Sequence, residues 1–248
     1  MSAYRVFSRI VLSLTFIAQG FASAHAQSGD QILDGIGETG MLARYIWNGD
    51  LNDWSRNNLH GSAVANAVAF VNDERFGKVL MLNGEKNAFI SLPGGALSEL
   101  ESLSITGWIK IRTKQTGQVF FDFGKDERHR LLVAPVGLGN SRLGSKGEVQ
   151  GAGAMGMQKA GSDQRDGLEV LLATDNLQSV SAPAIDTNQW VHLALVIDIP
   201  SKSITVFVNS VPVAETKNIT INLEDIFGSQ PAEECKLFIG RSLSANAT

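Results

Sequence analysis

The sequence predicts an all-β fold, a two-sheet antiparallel β-sandwich, and three observations carry that prediction. First, Trp190 to Asp198 and Ile204 to Asn209 are β-branched and aromatic runs joined by the polar link Ile199-Pro200-Ser201-Lys202-Ser203, which is a hairpin pattern. Side chains alternate across a strand, so Val191, Leu193, Leu195 and Ile197 share one face. The opposite face, Trp190, His192, Ala194, Val196 and Asp198, is also mostly apolar, which places the hairpin inside a layered structure as its centre. Second, short runs of the same kind recur along the chain, separated by turn residues such as Asn83-Gly84 and Pro93-Gly94-Gly95. Third, helical periodicity is confined to single turns at Ala96–Leu100 and Leu223–Phe227. Strands at this spacing without helices form sandwiches or barrels.

Taken in order, the chain begins with a secretory leader, residues 1–26. Arg5 and Arg9 supply the positive start, Ile10 to Ala18 the short apolar run, and Ala24-His25-Ala26 the small residues before a cleavage site at Gln27. That run is too short to span a bilayer, and the rest of the chain has no longer one, so no membrane span is expected. Residues 27–40 are polar and glycine-rich and read as a flexible arm ahead of a domain at 41–248. The expected strands are Leu42–Trp47, Ala67–Val71, Val79–Leu82, Ala88–Leu92, Leu103–Ile111, Val119–Phe123 and Leu131–Ala134. A glycine-dense insert follows at 137–167. Its Gly151-Ala152-Gly153-Ala154-Met155-Gly156 matches G-x-G-x-x-G, but a dinucleotide site needs that motif between a strand and a helix, and no helical pattern follows. The strand pattern resumes at Gly167–Ala173, leads into the central hairpin and ends at Lys236–Ile239.

Charge and cysteine usage narrow the function classes. The full chain has 21 basic and 25 acidic residues; without Arg5 and Arg9 of the leader it has 19 against 25, a net charge of −6. Such a balance offers no electrostatic reason to bind nucleic acid or anionic lipid. Cys235 is the single cysteine, so no internal disulfide forms, and it reads as a small buried hydrophobe. With no cysteine after the cleavage site, a lipid anchor is not expected.

Several spaced segments resemble one family. They are Asp53-Trp54-Ser55-Arg56-Asn57-Asn58-Leu59-His60-Gly61, Gly77-Lys78-Val79-Leu80-Met81-Leu82-Asn83-Gly84 and Phe89-Ile90-Ser91-Leu92-Pro93. Leu103-Ser104-Ile105-Thr106-Gly107-Trp108-Ile109, Trp190-Val191-His192-Leu193-Ala194, Val206-Phe207-Val208-Asn209 and Leu237-Phe238-Ile239-Gly240-Arg241-Ser242 continue the series. In this order they resemble the LamG-like jelly-roll domains of the concanavalin A-like superfamily, and Gln118-Val119-Phe120-Phe121-Asp122-Phe123-Gly124 resembles a strand of modules attached to glycoside hydrolases. The resemblance implies a jelly roll, secretion to the periplasm, the cell surface or the medium, and a glycan or cell-surface partner. It also implies a further strand after Ser242, which this sequence lacks, so the expectation is a fragment with a domain beyond the C-terminus, or a strand borrowed from a partner. Ser210 departs from the glycine usual after Asn209.

Chemistry-bearing residues are sparse. A glycoside hydrolase needs two carboxylates across a groove, spaced by two when they share a strand. Glu224-Asp225 and Glu233-Glu234 are adjacent pairs in loops, and Glu99 and Glu101 lie in a turn, so no catalytic residue is assigned. Asp126-Glu127-Arg128-His129-Arg130 reads as a charged hairpin tip, and His192 as a core histidine. Trp47, Trp108 and Trp190 fall on expected strands and read as core. The candidate ligand site is the loop of Asp53, Trp54, Arg56 and Asn57, where an aromatic face is flanked by groups that grip hydroxyls. Asn48, Asp50 and Asp53 offer hard oxygens for calcium, without an EF-hand's spacing. The reading is a non-catalytic carbohydrate-binding or adhesion module. A hydrolase or lyase on the same fold and a structural interaction domain stand as alternatives, since a fold hosts many functions.

Overall fold

The computed structural model describes residues 40–64, 67–85, 87–97, 100–115, 117–137, 167–228 and 235–244. The leader, residues 27–39 of the arm, residues 138–166 of the insert with its G-x-G-x-x-G run, and Glu99, Glu233 and Glu234 lie outside the described residues. The unit Ala43–Thr248 holds all the strands described below.

Twelve strands are present in the described residues: β1 (Ala69–Asp73), β2 (Gly77–Met81), β3 (Ile90–Leu92), β4 (Ser102–Lys110), β5 (Phe121–Gly124), β6 (Arg130–Ala134), β7 (Leu168–Ala173), β8 (Leu177–Ala182), β9 (Trp190–Asp198), β10 (Ser203–Val208), β11 (Val211–Lys217) and β12 (Lys236–Ile239). A 3-10 turn at Gly94–Leu97 and a short helix α1 (Leu223–Phe227) complete the elements. The strands form a four-stranded sheet, β11-β10-β9-β4, a six-stranded sheet, β3-β12-β5-β6-β7-β8, and a separate β1-β2 hairpin. All pairings within these sheets are antiparallel. The architecture is an all-β jelly-roll sandwich.

Alternation decides what lies between the layers. On β9, Val191, Leu193, Leu195 and Ile197 are buried. Register places Ile197 between Leu103 of β4 and Ile204 of β10, and Leu195 between Ile105 and Val206. The six-stranded sheet answers with Phe121 and Phe123, Leu131 and Val133, Leu168, Val170 and Leu172, all buried. Fully burying such a side chain stabilises by about 1.5–3 kcal/mol, so these two faces hold the sandwich together. The central strands β5, β6 and β7 are buried on both faces.

Three expectations are corrected. Leu42–Trp47 is not a strand: Tyr45 makes one isolated bridge to Asp53, and Trp47 has φ 58°, a left-handed conformation that ends extended structure. The outer face of β9 is half-exposed rather than enclosed, and His192 and Trp190 belong to it. Trp108 is not core. Leu103, Ile105 and Ile109 point inward, so strand alternation turns Trp108 outward, where it is 43% exposed. Two strands have no counterpart in the sequence reading. β11 contains Pro212 and is an edge strand with a register shift opposite Val206 and Phe207, where a missing N–H is tolerated. β8, Leu177–Ala182, alternates with small polar residues along one edge of the six-stranded sheet. Cys235 is buried, and its thiol donates to the Phe227 carbonyl at 3.2 Å.

Candidate functional site: an aromatic depression on the four-stranded sheet

The outward face of the four-stranded sheet carries a depression of about 490 Å³ lined by Arg75, Trp108, Trp190, His192, Asn209 and Ser210. Three pieces of local structure build it. Register pairs Trp108 of β4 directly with His192 of β9, and Lys110 with Trp190, so two indoles lie on the outer face of adjacent strands. The His192 ring meets Trp108 edge-on at 5.2 Å, and its Nε2 is 2.8 Å from the Thr106 hydroxyl.

The second piece is the β10-β11 turn. Asn209 and Ser210 have φ 51° and 67°, the left-handed pair of a type I′ two-residue hairpin. Asn209 tolerates that conformation, and its Oδ1 accepts the His192 N–H at 3.0 Å while its own N–H donates to the His192 carbonyl at 2.8 Å. The turn is thereby held against β9, and two polar side chains stand at the rim.

The third piece is the tip of the β1-β2 hairpin. Asp73 Oδ1 accepts the backbone N–H groups of Arg75 and Phe76 at 2.9 and 3.4 Å, and Gly77 closes the loop at φ 71°. Asp73 Oδ2 accepts the Trp190 indole N–H at 2.9 Å and pairs with Lys110 Nζ at 3.4 Å. The Trp190 bond, ahead of the others, holds the Asp73 carboxyl below the usual carboxylate range. Pinned in this way, the tip sets Phe76 4.9 Å from Trp190 and 5.3 Å from Trp108. The Arg75 guanidinium lies 4.2 Å over the Trp108 ring. Sequence reading missed this site, because the site joins residues of β4 and β9 to the tips of two hairpins, and both indoles were assigned to the core.

The sequence-predicted site sits elsewhere. Trp54 is 54% exposed and Arg56 and Asn57 are exposed, while Asp53 is buried. Asp53 Oδ1 accepts Arg44 N and Ser55 N at 2.8 Å each, and Oδ2 accepts the Ser55 hydroxyl at 2.7 Å and Leu59 N at 2.9 Å. Four donors fill the four lone-pair positions of a carboxylate, so Asp53 holds its own loop closed. Tyr45 joins the same arrangement, donating to the Leu59 carbonyl at 2.6 Å, and burial with the nearby Asp53 charge pushes its phenol up to about 12. Asp50 Oδ1 accepts Asn52 N at 2.9 Å, and Asn48 is exposed. Among the described residues, no group of three or more His, Cys, Asp or Glu side chains is placed to hold a metal ion.

Burial alone would raise the Asp53 pKa, but its hydrogen bonds together hold it below the ordinary value. A depressed folded-state pKa stabilises above the unfolded value of about 3.9 and the benefit is lost as pH falls through the folded value. The melting temperature should therefore drop below about pH 4. Asp53→Asn, which cannot accept all four donors, should cost about 1–3 kcal/mol at pH 7 and flatten part of that acid loss. Thermal melts from pH 7 to 2 test both, and a variant that melts like the wild type at pH 7 would refute the assignment.

Three further charged side chains, Arg130, Asp122 and Glu169, lie on the outer face of the six-stranded sheet, and all are buried. Arg130, expected at a charged hairpin tip, is 3% exposed, because the tip is residues 125–129 and Arg130 is the first residue of β6. Its Nη1 reaches Asp122 Oδ2 at 3.2 Å and the Ser244 hydroxyl at 3.1 Å. Asp122 Oδ2 also accepts Leu243 N at 2.8 Å and the Ser242 hydroxyl at 3.0 Å. Burial pushes the Asp122 carboxyl above the usual range in spite of the guanidinium. Glu169, one strand beyond β6, is likewise 3% exposed. Glu224 and Asp225, read as loop acids, form the first turn of α1, where Asp225 accepts Asn222 N at 2.9 Å.

Comparison with known proteins places the fold. No curated protein sequence matches the chain. Among solved structures it is similar to domain 4 of AbnA, a GH43 extracellular arabinanase from Geobacillus stearothermophilus, in complex with arabinotriose. That likeness has a TM-score of 0.54 at 21% identity and covers 80% of this chain and 81% of the other, so it speaks for the fold. The family model described as the concanavalin A-like lectin/glucanases superfamily matches residues 83–245, the stretch from β3 to β12. The chain belongs to the concanavalin A-like lectin/glucanase superfamily.

Proposed function

We propose that this chain is a secreted, non-catalytic carbohydrate-binding module and that the depression on the four-stranded sheet is its ligand surface. The observation that carries the proposal is the grouping of Trp108 and Trp190 with Arg75, His192, Asn209 and Ser210 around one open concavity, with Phe76 packed against both indoles. A pyranose or furanose ring has an apolar C–H face and a rim of hydroxyls, and aromatic walls with polar groups beside them complement both. Superfamily membership agrees with this use, as does the similarity to a domain solved with arabinotriose. The Arg5-to-Ala26 leader supports export. The burial of Asp122 and Glu169 on β5 and β7, which are 0% and 3% exposed, supports the non-catalytic reading. The exposed loop of Trp54, Arg56 and Asn57 is a second contact for the same class of ligand, favoured by the 54% exposure of its indole.

Calorimetric titration against neutral and acidic oligosaccharides tests this. Trp108→Ala should weaken binding at least about tenfold, roughly 1.4 kcal/mol, while the melting temperature moves only a few degrees because the indole is outside the core. Trp54→Ala measures the second contact separately. Unchanged affinity in well-folded Trp108→Ala would remove the depression as the site, and glycan turnover by the wild type would remove the non-catalytic reading.

A further inference from the structure

We infer that the depression selects an acidic sugar, one presenting a carboxylate, and that Arg75 is the residue that reads it. The inference rests on the carbohydrate-binding reading above and concerns which sugars that surface takes. Of the six residues lining the depression, Arg75 is the one with a permanent charge, and none is Asp or Glu. The carboxylate of Asp73, in the same hairpin tip, is already engaged by the Trp190 indole and Lys110, and it meets Arg75 through the backbone N–H alone. Among the described residues the Arg75 guanidinium makes ring contacts and no ion pair: it lies 4.2 Å from the centre of Trp108 and 5.0 Å from that of Phe76.

Stacking of this kind matters for recognition. A guanidinium lying on an indole keeps its N–H fork free at the edges, and the ring limits how far the side chain wanders. The Asp73-capped loop restrains the backbone beneath it. The result is a donor fork fixed in place before any ligand arrives, and a planar carboxylate accepts two parallel N–H bonds from such a fork. A neutral sugar would instead leave an unpaired cation at the wall of a partly dried site. The chain's overall charge of −4 opposes long-range attraction of anions, so discrimination has to come from this local contact. Arg75 and Phe76 precede the segment 83–245 matched by the family model, so the cation belongs to the part of this chain outside that match.

The test titrates the full chain with trisaccharides of galacturonate, mannuronate and guluronate, with their methyl esters, and with neutral arabinotriose and xylotriose. The ester keeps the ring and removes the charge. At least one acid should bind about tenfold or more tighter than its ester, and the preference should shrink as salt rises. Arg75→Gln should bring the acid-to-ester ratio near one, and Arg75→Lys should restore part of it without the bidentate geometry. If esters and neutral sugars bind as well as the acids, the acidic-sugar inference falls while the carbohydrate-binding reading stands. If no member binds, the carbohydrate-binding reading falls, and this inference with it. A sulfated trisaccharide held through Arg75 more tightly than any uronate would overturn the carboxylate assignment.

Discussion

Arg130→Met is expected to cost the fold about 3–5 kcal/mol, the usual result of removing one member of a buried ion pair. Asp122 is fully buried and Arg130 is 3% exposed, so neither partner can turn to water when the other is lost. The cost comes mainly from the stranded carboxylate rather than from the attraction itself. Asp122 Oδ1 and Arg130 Nε already lack hydrogen-bond partners among the described residues, so the pair is incompletely satisfied even when intact. The double variant Asp122→Val/Arg130→Met should therefore recover most of the loss. It should not recover all of it, because Leu243 N and the Ser242 hydroxyl lose the oxygen they share. Urea unfolding of the two single variants and the double measures the coupling directly. The pH dependence has a fixed sign. Burial raises the folded pKa of Asp122, so its protonation favours the folded state. The Arg130→Met penalty should shrink as pH falls toward the unfolded value of about 3.9. A loss below about 1 kcal/mol at pH 7 would mean that the pair is not the tie between β5, β6 and residues 242–244.

The sheets were more legible in the sequence than the site. Period-two alternation is a local signal, and it located β1 to β7, β9, β10 and β12 to within a few residues. It failed where other forces set the backbone. Trp47 adopts a left-handed conformation and stacks on Tyr45 at 4.7 Å, and nothing in Leu42–Trp47 signals that departure from an apolar run. Pro212 argues against a strand unless it lies at an edge, and edge position is a property of the whole sheet. The depression was hidden for a related reason. Trp108 follows Gly107 in an apolar strand, and hydrophobicity alone assigns it inward, whereas its parity with Leu103, Ile105 and Ile109 assigns it outward. Parity was the better signal, because an aromatic residue on the polar side of an alternating strand is exposed whatever its hydropathy. Asp53 shows the converse. Its composition suits a ligand contact, but an acid two residues before Ser55 and six before Leu59 can also cap its own loop, and the backbone donors claim it.

The same parity argument predicts a large contrast between neighbouring positions of β9. Ile197→Ala should cost about 2–5 kcal/mol, since Ile197 is fully buried and flanked by Leu103 and Ile204, and truncation leaves a cavity that a packed sandwich cannot close. Val196→Ala, one residue away, should cost less than about 1 kcal/mol. Its side chain lies on the outer face between Ser104 and Thr205, where solvent already reaches and no cavity forms. Denaturant melts of the two variants at one pH make the comparison independent of the unfolded-state model, because the residues are adjacent in sequence. Equal costs would mean that the four-stranded sheet is enclosed on both faces. In that case Trp108 and Trp190 would be core residues, and no open depression would exist for a sugar to enter. A strong asymmetry is what an outward aromatic surface on β4 and β9 requires.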